Sequence, residues 1–112
     1  MDISITSQNK IVIVELDGKL DSVSSQAAQD KIMPLLVPGC SIVLNMTKCT
    51  YVSSAGLRIL LMVAKLLKTK NGTGVIAGLS KEINEVMEMT GFANMFRNYP
   101  TVDEAVNSVG GR

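Results

Sequence analysis

The chain has 112 residues, 46% of them hydrophobic and 19% charged, which is typical of one globular domain and argues against a disordered chain. Its net charge of +1, without basic runs, gives no general attraction to nucleic acid or to an anionic membrane, and the longest apolar stretch, residues 57–67, is far shorter than the roughly 20 residues that span a bilayer. Histidine is absent and no phosphate-binding glycine motif occurs, so the usual hydrolase nucleophiles and imidazole metal sites are missing, and we expect a non-enzymatic protein without cofactor or metal.

The first two elements are predicted to be strands. Ile3 and Ile5 alternate with polar residues, as in a half-exposed strand, and residues 8–10 form a turn. Residues 11–16 are rich in β-branched side chains, which favours a strand buried on both faces. Two strands this close should pair as a hairpin. Asp17 and Gly18 are expected to end the second strand.

A helix and a third strand are expected next. Asp21 and Ser22 are residues that favour a helix start. Pro34 does not fit inside a helix, so this helix should end or kink near Met33. Residues 42–44 then read as a short buried strand.

The strongest helical pattern follows a loop over residues 46–51. It covers residues 55–68 and has one apolar and one polar face. The residues predicted to face the core are Leu57, Leu60, Leu61, Ala64 and Leu67. The residues predicted on the opposite face are Arg58, Met62, Lys65 and Thr69.

The last third of the chain repeats the alternation of strand and helix. Residues 74–77 predict a strand, and Ser80 can cap a helix that carries acidic residues near its positive end and stops at Gly91. Thr101 opens a capping box for a last short helix, and a short strand is possible over residues 95–98.

The fold class predicted from this order is α/β. Strands that alternate with helices favour parallel pairing through right-handed crossovers, whereas the opening hairpin is antiparallel. We therefore expect a mixed four- to five-stranded sheet that opens with an antiparallel hairpin and packs against about four helices. One domain should span residues 1–112, with a frayed tail over residues 110–112.

Two further features bear on the compartment. The N-terminal residues show no positively charged segment followed by an apolar block, so no signal peptide is visible and the cytoplasm is expected. Cys40 and Cys49 are the two cysteines, too few for a disulfide framework or a zinc site. We expect both to be small half-buried core residues.

The most informative segment is residues 50–58, where a loop gives way to the strong helix. Ser53 and Ser54 stand at this boundary, and serine is a preferred helix N-cap, which is the simplest explanation of both. Gly56 in the first turn lowers helix stability by up to about 1 kcal/mol relative to alanine. Its missing side chain suggests that the backbone is open to a close approach by another molecule. A hydroxyl flanked by such small residues is accessible to a kinase.

These residues resemble the STAS domain family, named for sulfate transporters and anti-sigma factor antagonists. The resemblance covers about Ile3 to Val109 and rests on the Gly18–Asp21 turn and on the segment Tyr51–Leu57. It implies a stand-alone anti-sigma factor antagonist of the STAS-like fold. The register of Gly56 implies that the phosphorylated serine is Ser54, with Ser53 as second choice.

The resemblance also implies the partners of such a switch. In that family an anti-sigma factor that is also a serine kinase phosphorylates the serine, and a PP2C-type phosphatase restores it. The unphosphorylated antagonist binds the anti-sigma factor and so releases the sigma factor, whereas the phosphorylated form does not bind. Asp21 matches an acidic residue near the acceptor.

Two residues depart from the pattern of well-known members. Ser53 stands where those members have aspartate before the acceptor serine, and Asn45 stands where they often have aspartate at the end of the third strand. The local negative charge is therefore lower in this chain. The choice between Ser53 and Ser54 as acceptor depends on this difference.

The predicted partner surface surrounds the start of the strong helix. It combines the loop before the helix, the first helical turn and the exposed helix face. The residues that we expect to contact the partner are Asp21, Lys48, Thr50, Tyr51, Ser53, Gly56, Arg58, Met62 and Lys65.

Three other functions remain open at this point. The chain could be a STAS subunit of another assembly, such as a lipid-transport accessory protein or a stress-signalling complex, in which Ser54 is only a cap or is the substrate of a different kinase. It could also be a small α/β enzyme or nucleotide-binding protein, although histidine, a phosphate loop and paired carboxylates are missing. A receiver domain fits the order of elements but lacks an acidic cluster.

Overall fold

The order of elements agrees with the sequence pattern in a computed structural model that describes residues 1–110. The strands are β1 Asp2–Gln8, β2 Ile11–Leu20, β3 Ser41–Asn45, β4 Cys49–Val52, β5 Thr73–Ala77 and β6 Arg97–Tyr99. The helices are α1 Ser25–Ile32, α2 Ser54–Thr69, α3 Lys81–Thr90 and α4 Val102–Gly110. Of the predicted frayed tail, Gly110 ends α4, and residues 111 and 112 lie outside the described residues.

The strands form one mixed sheet in the order β1-β2-β3-β5-β6, with β4 paired to the far end of β2. β1 is antiparallel to β2, and the other pairs are parallel. The predicted α/β class with an opening hairpin is confirmed. Residues 1–110 hold six strands, however, rather than four or five, because β4 lies inside the stretch predicted as a loop.

The second strand is longer than predicted, because Asp17 and Gly18 do not end it. Gly18 has a φ of +120°, and the pairing register shifts between Gly18 and Lys19. Glycine adopts this backbone conformation without the strain that a side chain would cause. The bulge bends β2 so that its first half pairs with β3 and its last residues pair with β4.

The sheet has a core on each face. Side chains alternate along a strand, so β2 directs Val14 and Leu16 to one face and Ile11 and Ile13 to the other. The first face packs against α1, α2 and α3, and the second against α4. The prediction that β2 is buried on both faces is therefore confirmed.

The helix ends show one correction. α1 begins at Ser25, not at Asp21 or Ser22, because residues 21–24 form a closed turn first. Its predicted end is confirmed, since the chain turns into a short 3-10 helix at residues 33–35, around Pro34.

The later helix boundaries agree with the predictions. Ser80 caps α3 by accepting a hydrogen bond from the Ile83 backbone N–H at 3.2 Å, and Gly91 ends that helix with a φ of +80°. The Thr101 hydroxyl accepts one from the Glu104 N–H at 3.2 Å.

The buried face of α2 differs from the prediction at its borders. Leu57, Leu60 and Leu67 are buried as expected. Leu61 and Ala64 are only half-buried, and the core positions at this border are instead Ile59 and Val63. The buried stripe of α2 is therefore shifted around the helix relative to the predicted one.

Candidate functional site

The two serines at the start of α2 have different structural roles. Ser53 is the N-cap, and its hydroxyl accepts a hydrogen bond from the Gly56 backbone N–H at 3.3 Å. Ser54 is the first helical residue; its side chain is exposed, and its hydroxyl forms no hydrogen bond to any residue of the described chain. The capping explanation therefore applies to Ser53 and leaves the Ser54 hydroxyl accessible.

The first turn of α2 is held against the end of β2. The Ser53 N–H donates to the Leu20 carbonyl at 2.9 Å. A Cβ atom placed on Gly56 would lie 2.4 Å from the Leu20 carbonyl oxygen and 3.0 Å from Cγ1 of Val52. The expectation that Gly56 leaves the backbone open to another molecule is therefore wrong. The protein's own strand fills that space, and Gly56 is buried.

Asp21 closes the turn that leads from β2 into α1. Its Oδ1 accepts hydrogen bonds from the backbone N–H groups of Val23 at 3.0 Å and Ser24 at 3.2 Å. The bond from the Ser24 backbone is the main cause that lowers the pKa of Asp21 below its ordinary value. Because Leu20 bonds to Ser53, this turn lies beside the start of α2 and presents a carboxylate there.

The segment before α2 is well ordered by local contacts. The Asn45 amide oxygen accepts from the Thr47 backbone N–H at 3.2 Å, and the Lys48 ammonium lies 3.9 Å from the Glu15 carboxylate in a largely exposed ion pair. Thr50 is exposed, and its hydroxyl lies 3.4 Å from the Gly18 carbonyl oxygen. These contacts hold the chain in place as it enters β4.

Tyr51 projects from β4 and is 51% exposed. It lies three residues before Ser54, on the strand that leads directly into α2. An apolar aromatic surface is therefore half exposed beside the start of α2.

The exposed face of α2 carries the other predicted contacts. Arg58 and Lys65 are exposed, whereas Met62 is half-buried and packs against the core. Together with Leu61 and Leu66 they line a shallow depression of about 470 Å³. Arg58 follows Ser54 by four residues, so both lie on one side of the helix.

The chemistry available here is that of an accessible acceptor and not of an activated nucleophile. No base lies within hydrogen-bonding distance of the Ser54 hydroxyl among the described residues. Burial raises the pKa of the Cys49 thiol, which disfavours the thiolate. Across residues 1–110, no three carboxylates or thiols converge as a metal site would need.

Sequence comparison assigns this arrangement to a family. The sequence profile of the STAS domain matches residues 2–105. The chain belongs to the STAS domain family. BtrV of Bordetella bronchiseptica, whose name describes it as an anti-sigma factor antagonist, is 30% identical over 97 residues, which cover 86% of this chain and 84% of that protein.

A second relative and two solved structures of one protein extend the comparison. The anti-sigma-B factor antagonist of Bacillus subtilis is 21% identical over 111 residues, covering 99% of this chain and 96% of that protein. The anti-sigma factor antagonist SpoIIAA in unphosphorylated form has a TM-score of 0.82 at 20% identity, covering 99% and 98% of the two chains. The phosphorylated form of SpoIIAA, a Bacillus cell fate determinant, has a TM-score of 0.74 at 20% identity, covering 96% and 99%. The likeness to SpoIIAA shows the same fold, and the two relatives are similar in length to this chain.

None of the helices within residues 1–110 combines the length and apolar character needed to cross a membrane.

Most of these residues were predicted from the sequence to lie at one site, but the cleft beside that site was not predicted. Asp21, Thr50, Tyr51, Ser53 and Ser54 do meet at the end of the sheet where β2 and β4 finish, as the hydrogen bonds above show. The missed residues are on α3, where Val86 is exposed between glutamates. The sequence signal that could have revealed the cleft is Val86, an apolar residue on an otherwise polar face of α3.

Proposed function

We propose that this STAS protein is a non-enzymatic antagonist of an anti-sigma factor and that phosphorylation of Ser54 switches it off. The observation that carries the proposal is the exposed hydroxyl of Ser54 at the first position of α2, freed from capping by Ser53. The names of the two relatives support the antagonist role, since both are described as antagonists of anti-sigma factors.

In this proposal the unphosphorylated protein binds an anti-sigma factor that is also a serine kinase, and the bound sigma factor is released. The kinase then phosphorylates Ser54, binding is lost, and a PP2C-type phosphatase restores the hydroxyl. These steps place the protein in the cytoplasm, where sigma factors act. The existence of a solved phosphorylated form of SpoIIAA supports a phosphorylated state in a protein of this fold.

Phosphorylation at Ser54 is compatible with the fold for an electrostatic reason. A phosphoserine adds about −1.5 to −2 charges at pH 7. The N–H groups of Ser54 and Ala55 begin α2 without an intrahelical acceptor, and the positive end of the helix dipole favours an anion. We therefore expect the phosphorylated protein to stay folded. Ser53 is a poorer acceptor because its hydroxyl is half-buried and already caps the helix.

The modification acts at the interface instead. A partner surface that is complementary to a neutral hydroxyl would have to bury a dianion, and an unpaired buried charge costs several kcal/mol, on the order of 3–5. Each 1.4 kcal/mol or so corresponds to a factor of ten in affinity. A loss of affinity by two or three such factors of ten is enough to release the bound protein.

The test begins with phosphopeptide mass spectrometry on protein purified from its own host, with the modified serine localised. The kinase is identified from the proteins that co-purify with Ser54→Ala, and its affinity is then measured for four forms of the chain: wild type, Ser54→Ala, Ser54→Asp and enzymatically phosphorylated protein. We expect Ser54→Ala to bind like wild type and the phosphorylated protein to bind at least about a hundredfold more weakly. Equal affinity of the phosphorylated and unmodified proteins would refute the switch. Recovery of transporter subunits in place of a kinase and sigma factor would favour the other STAS assembly.

A further inference from the structure

A second feature at the same end of α2 is a narrow apolar cleft between β4 and α3. It has a volume of about 80 Å³ and is lined by Tyr51 and Val52 on one side, by Val86 and Met87 on the other, and by Leu57 at its base. Tyr51 and Val86 form its mouth, with exposed fractions of 51% and 40%. Within residues 1–110, no side chain fills the space between the two exposed apolar walls formed by Tyr51 and Val86.

The residues that line the cleft on β4 and α2 lie close to the proposed phosphorylation site along the chain. Leu57 at its base lies three residues after Ser54, an axial distance of about 4.5 Å at the helical rise per residue. Tyr51 at its mouth lies three residues before Ser54, on the strand that enters α2. A kinase domain that brings a phosphate donor to the Ser54 hydroxyl must cover this end of the molecule. The cleft therefore lies beneath or beside that footprint.

The size of the cleft limits what can enter it. An apolar cavity of about 150 Å³ can hold a benzene ring, and the cleft has only about half of that volume, about 80 Å³. It is therefore too small for an aromatic ring but can receive the branched end of a leucine or isoleucine side chain. A partner side chain that fills a well-packed and desolvated pocket acts as an anchor, because residues in such pockets contribute much of the binding free energy of an interface.

The charges around the cleft indicate what flanks the anchor. Glu82 lines the cleft, and Glu85 and Glu88 lie on the same helix, all three of them exposed. None of these carboxylates forms an ion pair within residues 1–110. A complementary partner surface would place lysine or arginine next to its apolar anchor, because opposite charges steer association and like charges oppose it.

We infer that the cleft between Tyr51 and Val86 receives a branched aliphatic side chain, flanked by basic residues, of the serine kinase that modifies Ser54. The inference rests on the proposed function and adds to it a second point of contact. It assigns α3 to the interface in addition to the face of α2 that carries Arg58 and Lys65.

The test uses two variants of the cleft and one matched control on the same helix. Val86→Lys places a cation at the mouth, and Tyr51→Ser removes the opposite wall. Met89→Lys introduces the same charge at a side chain that is 87% exposed and does not line the cleft. Circular dichroism and thermal unfolding of the full chain establish that each variant is folded. The affinity of each unphosphorylated variant for the kinase is then measured by calorimetry, together with its rate of phosphorylation at Ser54.

We expect Val86→Lys and Tyr51→Ser each to weaken kinase binding by at least about tenfold, and Met89→Lys by less than about threefold. If both cleft variants bind the kinase with wild-type affinity and are still phosphorylated at Ser54, the cleft is not a binding site for the kinase, and the proposed function stays intact. Equal weakening by Val86→Lys and Met89→Lys, with no effect of Tyr51→Ser, would also overturn it, because charge alone would then explain the loss. Absence of phosphorylation at Ser54 in the wild-type chain would overturn both proposals.

Discussion

Replacing Gly56 with alanine tests the packing that positions Ser54. Alanine normally stabilises a helix relative to glycine, by up to about 1 kcal/mol in a helix interior. Here the added methyl group would lie 2.4 Å from the Leu20 carbonyl oxygen, 2.9 Å from Cγ of Leu20 and 3.0 Å from Cγ1 of Val52. The closest of these atoms belongs to the backbone, so a change of rotamer does not relieve the overlap.

The expected magnitude follows from two opposing effects. The first turn of α2 must move away from β2, which strains the 2.9 Å hydrogen bond from the Ser53 N–H to the Leu20 carbonyl. Overpacking of this kind costs typically about 1–3 kcal/mol. Because the closest overlap is with a backbone atom, we take the upper part of this range, about 2–3 kcal/mol. After a gain in helix propensity of up to about 1 kcal/mol is subtracted, we expect Gly56→Ala to lower the free energy of unfolding by about 1–2 kcal/mol. For a domain of this size that corresponds to a fall in Tm of roughly 4–8 °C.

The assay is urea unfolding of wild type, Gly56→Ala and Gly56→Ser at 25 °C, followed by far-ultraviolet circular dichroism. Serine adds the same Cβ atom and one further oxygen, so Gly56→Ser should lose at least as much stability as Gly56→Ala. If Gly56→Ala is as stable as wild type or more stable, the close approach of α2 to β2 is not a constraint and the reasoning fails.

Two further expectations follow from the same region. Ser53→Ala should lower the free energy of unfolding by about 1 kcal/mol because the N-cap hydrogen bond to Gly56 is lost, whereas Ser54→Ala should change it by less than about 0.5 kcal/mol. The midpoints of urea unfolding of the two variants test this expectation. A larger loss of stability in Ser54→Ala than in Ser53→Ala would contradict the assignment of Ser53 as the cap. The lowered pKa of Asp21 means that its carboxylate stabilises the fold above its unfolded pKa of about 4 and that this contribution is lost as the pH falls through the folded pKa. Asp21→Asn should therefore be less stable than wild type between about pH 5 and 7, with a difference that shrinks below about pH 4; a difference that is independent of pH would exclude this role.

Much of the fold was predictable because the signals are local. The opening hairpin, the end of α1 at Pro34, and the caps of α3 at Ser80 and Gly91 each depend on residues close together in sequence. Hydrophobic periodicity and capping chemistry act over one or two turns, so they can be read without knowledge of the rest of the chain. The short strand given as a possibility over residues 95–98 is β6, which lies slightly later, at Arg97–Tyr99.

The elements that were missed depend on residues far apart in the chain. β4 is a four-residue strand without a distinctive pattern, and it exists because the bulged end of β2 pairs with it. Pairing of this kind depends on which strand ends lie side by side. The later start of α1 is a local exception: Asp21 accepts hydrogen bonds from the backbone of Val23 and Ser24 and forms a turn before the helix begins.

The sequence by itself determined the order of elements, the family resemblance and the pair of serines at the start of α2. Only the tertiary structure decided what each residue there does: Ser53 caps the helix, Ser54 is free, and Gly56 makes room for the Leu20 carbonyl rather than for a partner. The Tyr51–Val86 cleft likewise exists only when β4 and α3 are packed together. The physical reason is that burial and exposure at this site arise from non-local contacts, which local propensities do not contain.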